Sequence, residues 1–70
     1  MKVTAVIAIS FEVERFEAGD PSVVVVTDVV AEVAQAMRHR TTAGGVSVGA
    51  VTASIHDLNA MLLATVPVPV

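Results

Sequence analysis

The chain has no cysteine, no tryptophan and no tyrosine, and only two phenylalanines among its 70 residues. Without cysteine, disulfides and thiolate metal sites are excluded as staples for a small fold. With so few aromatic rings, base stacking has no platform. Positive charge is scarce too: four Lys/Arg stand against seven Asp/Glu, for a net charge of −3. Such a surface repels a polyanion, so no nucleic-acid partner is expected. No stretch offers about 18 uninterrupted apolar residues, so no membrane span is predicted. The opening MKVTAVIAISFEVE begins in the manner of a signal peptide, with Lys2 and an apolar run. Thr4 and Ser10 break that run, acidic residues follow it, and no convincing cleavage site comes after. The expected setting is intracellular (cytoplasmic), or within a virion assembly if the gene is a phage's.

Apolar side chains are what the chain has in abundance. Hydrophobic residues make up 54% of it, and its mean hydropathy is +0.77. A chain of this length is one domain. At that size folding buries only about 60% of the surface the unfolded chain exposes. A marginal core and a surplus of apolar residues are reconciled if apolar surface is shared between chains. A homo-oligomer, or a complex with another protein, is therefore expected. Valine, alanine and arginine are abundant relative to the single lysine, Lys2, and all three have GC-rich codons, which suggests a GC-rich bacterial or bacteriophage genome.

The longest amphipathic pattern runs from Pro21 to Arg40. Val26, Val30, Val33 and Met37 recur at helical steps, with Val23, Val29 and Ala34 on or beside the same arc. Asp28, Glu32, Gln35 and His39 share the opposite arc. Asp20 is placed to cap the helix, and Pro21 suits its first position, where a missing N–H costs nothing. Arg38 and Arg40 complement the dipole at the far end, and Gly44-Gly45 stops the helix. The four consecutive valines 23–26 leave helix and strand both open there, because β-branching stiffens χ1.

Two stretches read as strands. From Val3 to Phe16 the residues Val3, Ala5, Ile7, Ile9, Phe11 and Val13 alternate with Thr4, Ser10, Glu12 and Glu14, the period of a half-buried strand. Val6 and Ala8 add apolar groups to the second face, a candidate subunit contact. Glu17 to Asp20 reads as a turn. Val46 to Ile55 reads as a buried strand, with a bulge at Gly49–Ala50 where the apolar set changes sides. Beyond it, Asp57 is placed to cap a short helix carrying Leu58, Met61 and Leu62, one too short to stand without packing. The Pro/Val-rich end cannot be a central strand. It reads as an extended tail held along a sheet edge or on a neighbouring subunit.

The candidate chemistry is thin. Glu12, Glu14, Glu17 and Asp20 concentrate carboxylates, but a solvated strand end and a helix cap account for them. Gly44-Gly45 follows a helix instead of preceding one, so it lacks the setting of a phosphate loop. His39, between Arg38 and Arg40, suits the helix dipole; a Glu32–Gln35–His39 ligand set is incomplete. His56-Asp57 would need side chains that meet, and neighbours on a strand point to opposite faces. Ser10, Ser47 and Ser54 have no evident activating partner. No residue is assigned a catalytic, cofactor-binding or metal-binding role, and no cofactor is expected.

The expected fold class is α+β: a small strand–helix–strand unit with a short C-terminal helix, together one domain over residues 1–65, then an extended tail over 66–70. The helix packs on the sheet face bearing Ile7, Ile9 and Phe11, and the sheet is completed by oligomerisation. The expected role is that of a non-enzymatic small oligomeric protein acting through protein–protein contacts, a phage or bacterial accessory or structural protein. The alternative is a small-molecule carrier or storage oligomer with its ligand held between subunits. An enzymatic reading would need a site shared across an interface, using His56, Asp57 and the acidic strand end.

Overall fold

A computed structural model describes residues 1–68; the end of the expected tail, Pro69 and Val70, lies outside the described residues. The elements, in order, are helix α1 (Pro21–Ala43) and strands β1 (Ala53–His56) and β2 (Leu62–Val66). The strands pair antiparallel in a two-stranded sheet, and both lie against the helix. This is a small α+β arrangement.

Local chemistry sets both ends of α1. Glu17 to Asp20 forms a turn closed by the Asp20 N–H donating to the Glu17 carbonyl at 3.1 Å. Gly19 sits third in it with φ +87°, a conformation a side chain would resist. The Asp20 carboxylate accepts from the Ser22 N–H at 3.0 Å and from the Ser22 hydroxyl at 2.6 Å, and Pro21 fills the first helical position. This cap carries the helix through Val23–Val26 despite their β-branching. At the other end the Gly45 N–H donates to the Thr42 carbonyl and the Val46 N–H to Thr41. Those two bonds, with Gly45 at φ +81°, make the helix stop known as a Schellman motif. Inside the helix the hydroxyls of Thr27, Thr41 and Thr42 fold back onto carbonyls three or four residues earlier.

The core is small. Val23, Val26 and Ala34 of α1 are buried with Val66 of β2, and Val30 and Ala31 are half-buried beside them. On the sheet, Ala53, Ile55 and Ala64 are half-buried, while Ser54, His56 and Thr65 point outward. The pairs Ala53–Val66 and Ile55–Ala64 place the inward residues opposite one another. Burial thus follows the stripe 23–26–30–34, rotated from the one expected through Val33 and Met37. Those two stay exposed, as do Val25 and Val29, which leaves an apolar flank along the helix. Asp28, Glu32, Gln35 and His39 face solvent, as the spacing predicts.

Several expectations are corrected. Residues 3–16 form no strand: among the described residues no backbone hydrogen bond joins them to another segment, and Ile7, Ile9 and Phe11 are exposed. Alternation makes a segment fit for a sheet but supplies no ladder partner. The strand expected over Val46–Ile55 is confined to Ala53–His56. In the observed register Thr52 lies opposite Pro67, just past the last pair, Ala53–Val66. The irregularity expected at Gly49–Ala50 lies instead between Ile55 and His56, opposite which β2 carries one extra residue, Leu63.

The short helix after Asp57 is not formed; a hairpin turn and β2 occupy its place. Asp57 accepts from the N–H groups of Asn59 (2.9 Å) and Met61 (3.0 Å) through one carboxylate oxygen. The Ala60 N–H donates to the Asp57 carbonyl, and Ala60 takes φ +61°. A three-residue loop ending in a left-handed residue is a favoured hairpin connection, although alanine is a strained choice there. β2 takes in Val66, the first residue of the expected Pro/Val tail.

The radius of gyration is 13.5 Å, against about 11 Å for a compact chain of this length, with extents of 40 × 23 × 16 Å. Neighbouring valines of α1 should therefore answer differently to truncation. Val26→Ala removes buried methyls at a cost of about 1.5 kcal/mol, offset by about 0.5 kcal/mol of helix propensity, a net loss of about 1 kcal/mol in denaturant unfolding. Val25→Ala, at a position 60% exposed, should leave the stability of the single chain equal or slightly higher.

The cap also titrates. Hydrogen bonds from Ser22 hold the Asp20 carboxyl below its ordinary pKa of 3.8. A pKa lowered by folding contributes stability that is present above the unfolded value and lost as pH falls through the folded one. Thermal melts followed by circular dichroism should show a loss below about pH 4 that is reduced in Asp20→Asn, since asparagine caps without titrating.

Candidate functional site

The polar groups singled out by the sequence fall at three separate places. The first is the solvent face of α1, where Glu32, Gln35, Ala36 and His39 surround a shallow depression. Their helical spacing brings them together as expected. The set offers one carboxylate and one imidazole beside a glutamine, all exposed. Among the described residues no group of three or more His, Asp or Glu side chains is placed to hold a metal ion.

The second place is the end of β1. The Ser54 hydroxyl and His56 Nδ1 are 3.5 Å apart on the exposed face of the strand, as residues two apart on a strand must be. That distance is at the long limit of a hydrogen bond, so no firm proton relay joins them. The Asp57 carboxylate is engaged otherwise: it accepts from two turn amides. The imidazole is therefore not oriented by it. The same bonds show what Asp57 does, which is to close the hairpin.

The third place is the foot of α1, where Arg38, Thr42, Val46 and Val48 line a second open depression, with Gly45, Ser47 and Gly49 around it. Arg38 is half-buried and its Nε is closed off from solvent with no hydrogen-bond partner among the described residues. Its neighbours in sequence, His39 and Arg40, are exposed. The basic cluster Arg38-His39-Arg40 is thus split, one guanidinium lying against the chain and two groups in solvent.

The acidic stretch is dispersed as well. Glu12, Glu14 and Glu17 are exposed; Glu17 lies 3.6 Å from the Arg15 Nε in a surface ion pair, and Asp20 is committed to its cap. Pairs of that kind contribute about 0–1 kcal/mol. No helix among the described residues is long and apolar enough to cross a membrane.

The largest uncovered feature is apolar. Val3, Val6, Ile7, Ile9 and Phe11 are exposed before the helix, Val25, Val29, Val33 and Met37 along its flank, and Leu58, Met61 and Leu62 about the hairpin tip. Alternation in the first stretch signalled a face seeking cover. The helix flank was hidden in the sequence because Val33 and Met37 share the period of the buried stripe.

Comparison of the chain with protein-family models, curated proteins and solved structures finds no match.

The guanidinium of Arg38 offers a test of its environment. A polar group closed off without a partner costs about 1–3 kcal/mol, whereas the stem of the side chain packs like an aliphatic one. Arg38→Met should leave the midpoint of denaturant unfolding unchanged or raise it; a clear drop would show that the guanidinium is satisfied in solution.

Proposed function

We propose that this protein is a small non-enzymatic oligomer that acts through protein–protein contacts, an accessory or structural component of bacterial or bacteriophage type. The observation that carries the reading is the exposed area. The chain exposes 5948 Å², whereas a folded monomer of its mass exposes about 4,100 Å². The excess is about 1,800 Å², and a standard protein–protein interface takes about 800 Å² from each partner.

The character of that surface supports the same reading. Among the described residues sixteen large hydrophobic side chains are exposed, and they form runs in place of scattered single residues. Apolar patches of this extent mark association surfaces in soluble proteins. A two-stranded sheet is marginal alone, and completing it with strands from other subunits would answer both needs. The polar groups, by contrast, are engaged in capping, in the hairpin turn and in solvation.

Measurement of native mass tests the reading. At micromolar concentration, sedimentation or native mass spectrometry should give a homo-oligomer. Val29→Asp on the exposed helix flank should shift the distribution towards smaller species while the helical circular dichroism persists. A monomer at all concentrations, with no protein partner, would sink the proposal.

A further inference from the structure

We infer that residues 3–13 of a second copy of this chain form the third strand of the sheet, pairing along the β1 side in a reciprocal exchange that makes a dimer. The inference rests on the oligomeric reading above and names the segment and the edge that carry it.

The two edges of the sheet are unequal. β2 is followed at once by Pro67, which cannot donate to a ladder, so a strand laid along β2 loses a bond just past Val66. The β1 side has no proline from Val46 to His56. Its residues 46–52 lack a ladder partner among the described residues, the pairing ending at Ala53–Val66. That side is therefore the template for an added strand, with no proline to interrupt its outward N–H and C=O groups.

The incoming segment matches it. Residues 3–13 contain neither proline nor glycine, alternate with the strand period, and span the same length of chain as residues 46–56. Among the described residues they have no ladder partner, and Ile7 is 62% exposed. A strand is a mode of docking in which main-chain bonds give affinity and alternate side chains give register.

The occupant is a second copy because one chain cannot cover the segment. Residues 3–13 are apolar on both faces, with Ile7, Ile9 and Phe11 on one and Val6 and Ala8 on the other. Among the described residues a single chain has one helix, which covers one face of one sheet. In a reciprocal exchange each three-stranded sheet keeps its one helix, so the face left open on one sheet is covered by packing against the other copy. The excess area of about 1,800 Å² per chain exceeds the roughly 800 Å² that a standard interface takes from each partner.

The absence of cysteine makes a direct test simple. Ser10→Cys is produced with 15N label, and Ser47→Cys and Ser54→Cys without it; all three positions are exposed. Each unlabelled variant is co-refolded with the labelled one, oxidised and weighed. A mixed disulfide between Ser10→Cys and either strand variant is expected, as the dominant covalent species in at least one mixture. Ile9→Asp, at a side chain that stands off the core, should weaken dimerisation at least tenfold with the helical signal unchanged. If native mass shows an oligomer but neither mixture gives the mixed disulfide, the strand exchange is wrong while the oligomeric reading stands. Linkage found only within one chain, in the double variant Ser10→Cys/Ser54→Cys at high dilution, overturns it too. A monomer overturns both.

Discussion

The contact between the stripe Val23–Val26–Val30–Ala34 and the inward face of the hairpin is what the rest of the molecule depends on. Neither element stands alone: a two-stranded sheet is marginal in water, and a helix opening with four valines has poor intrinsic propensity. Each supplies the surface that makes the other stable. The hairpin is narrow, however, and its inward face is made by Ala53, Ile55, Ala64 and Val66. It covers about one stripe of a helix whose apolar arc is wider than that. The uncovered flank of α1 follows directly from a cover too small for it.

Proline and glycine mark where the regular structure stops. Gly45 ends α1 by taking a left-handed conformation, and Pro67 follows β2 at once with no N–H to offer a strand laid along its outer edge. Between these limits the chain from Val46 to Thr52 is left without a ladder, although its composition suits a strand. The unpaired N-terminal segment, residues 3–13, is complementary to residues 46–56 in length, and neither contains proline. That complementarity is the physical content of the proposed association.

The helix was legible in the sequence because several independent signals agreed on it. Spacing, the Asp20 cap, Pro21 and the Gly44-Gly45 stop all mark the same segment, and the structure extends it only to Ala43. The hairpin was not legible, and the reason is specific. Asp57 accepts from the amide two residues on, the bond that Asp20 makes to Ser22 at a real helix start. The two uses of aspartate look alike until the chain turns back at Ala60, and alanine gives no warning of a left-handed residue. The spacing of Leu58, Met61 and Leu62 then imitates a helix face. In the N-terminal stretch the pattern of a strand is plain, but a pattern cannot say which chain holds the other half of the ladder. The candidate site groups were readable as to exposure and less so as to partners: His39 is where its period puts it, whereas Asp57 had a turn to close.

The three-residue loop of the hairpin bears on the order of events as the chain folds. β1 and β2 meet across a short closure, and hairpins of this kind form within about 1–10 μs. Helix growth is faster still, so the local core can assemble before anything distant arrives. If the N-terminal segment finds its sheet on another molecule, that last step is bimolecular, with a rate set by concentration instead of by the chain. Dilution would then lengthen the life of a half-finished species with a sticky edge, and a crowded nascent setting, such as neighbouring ribosomes on one message, would shorten it.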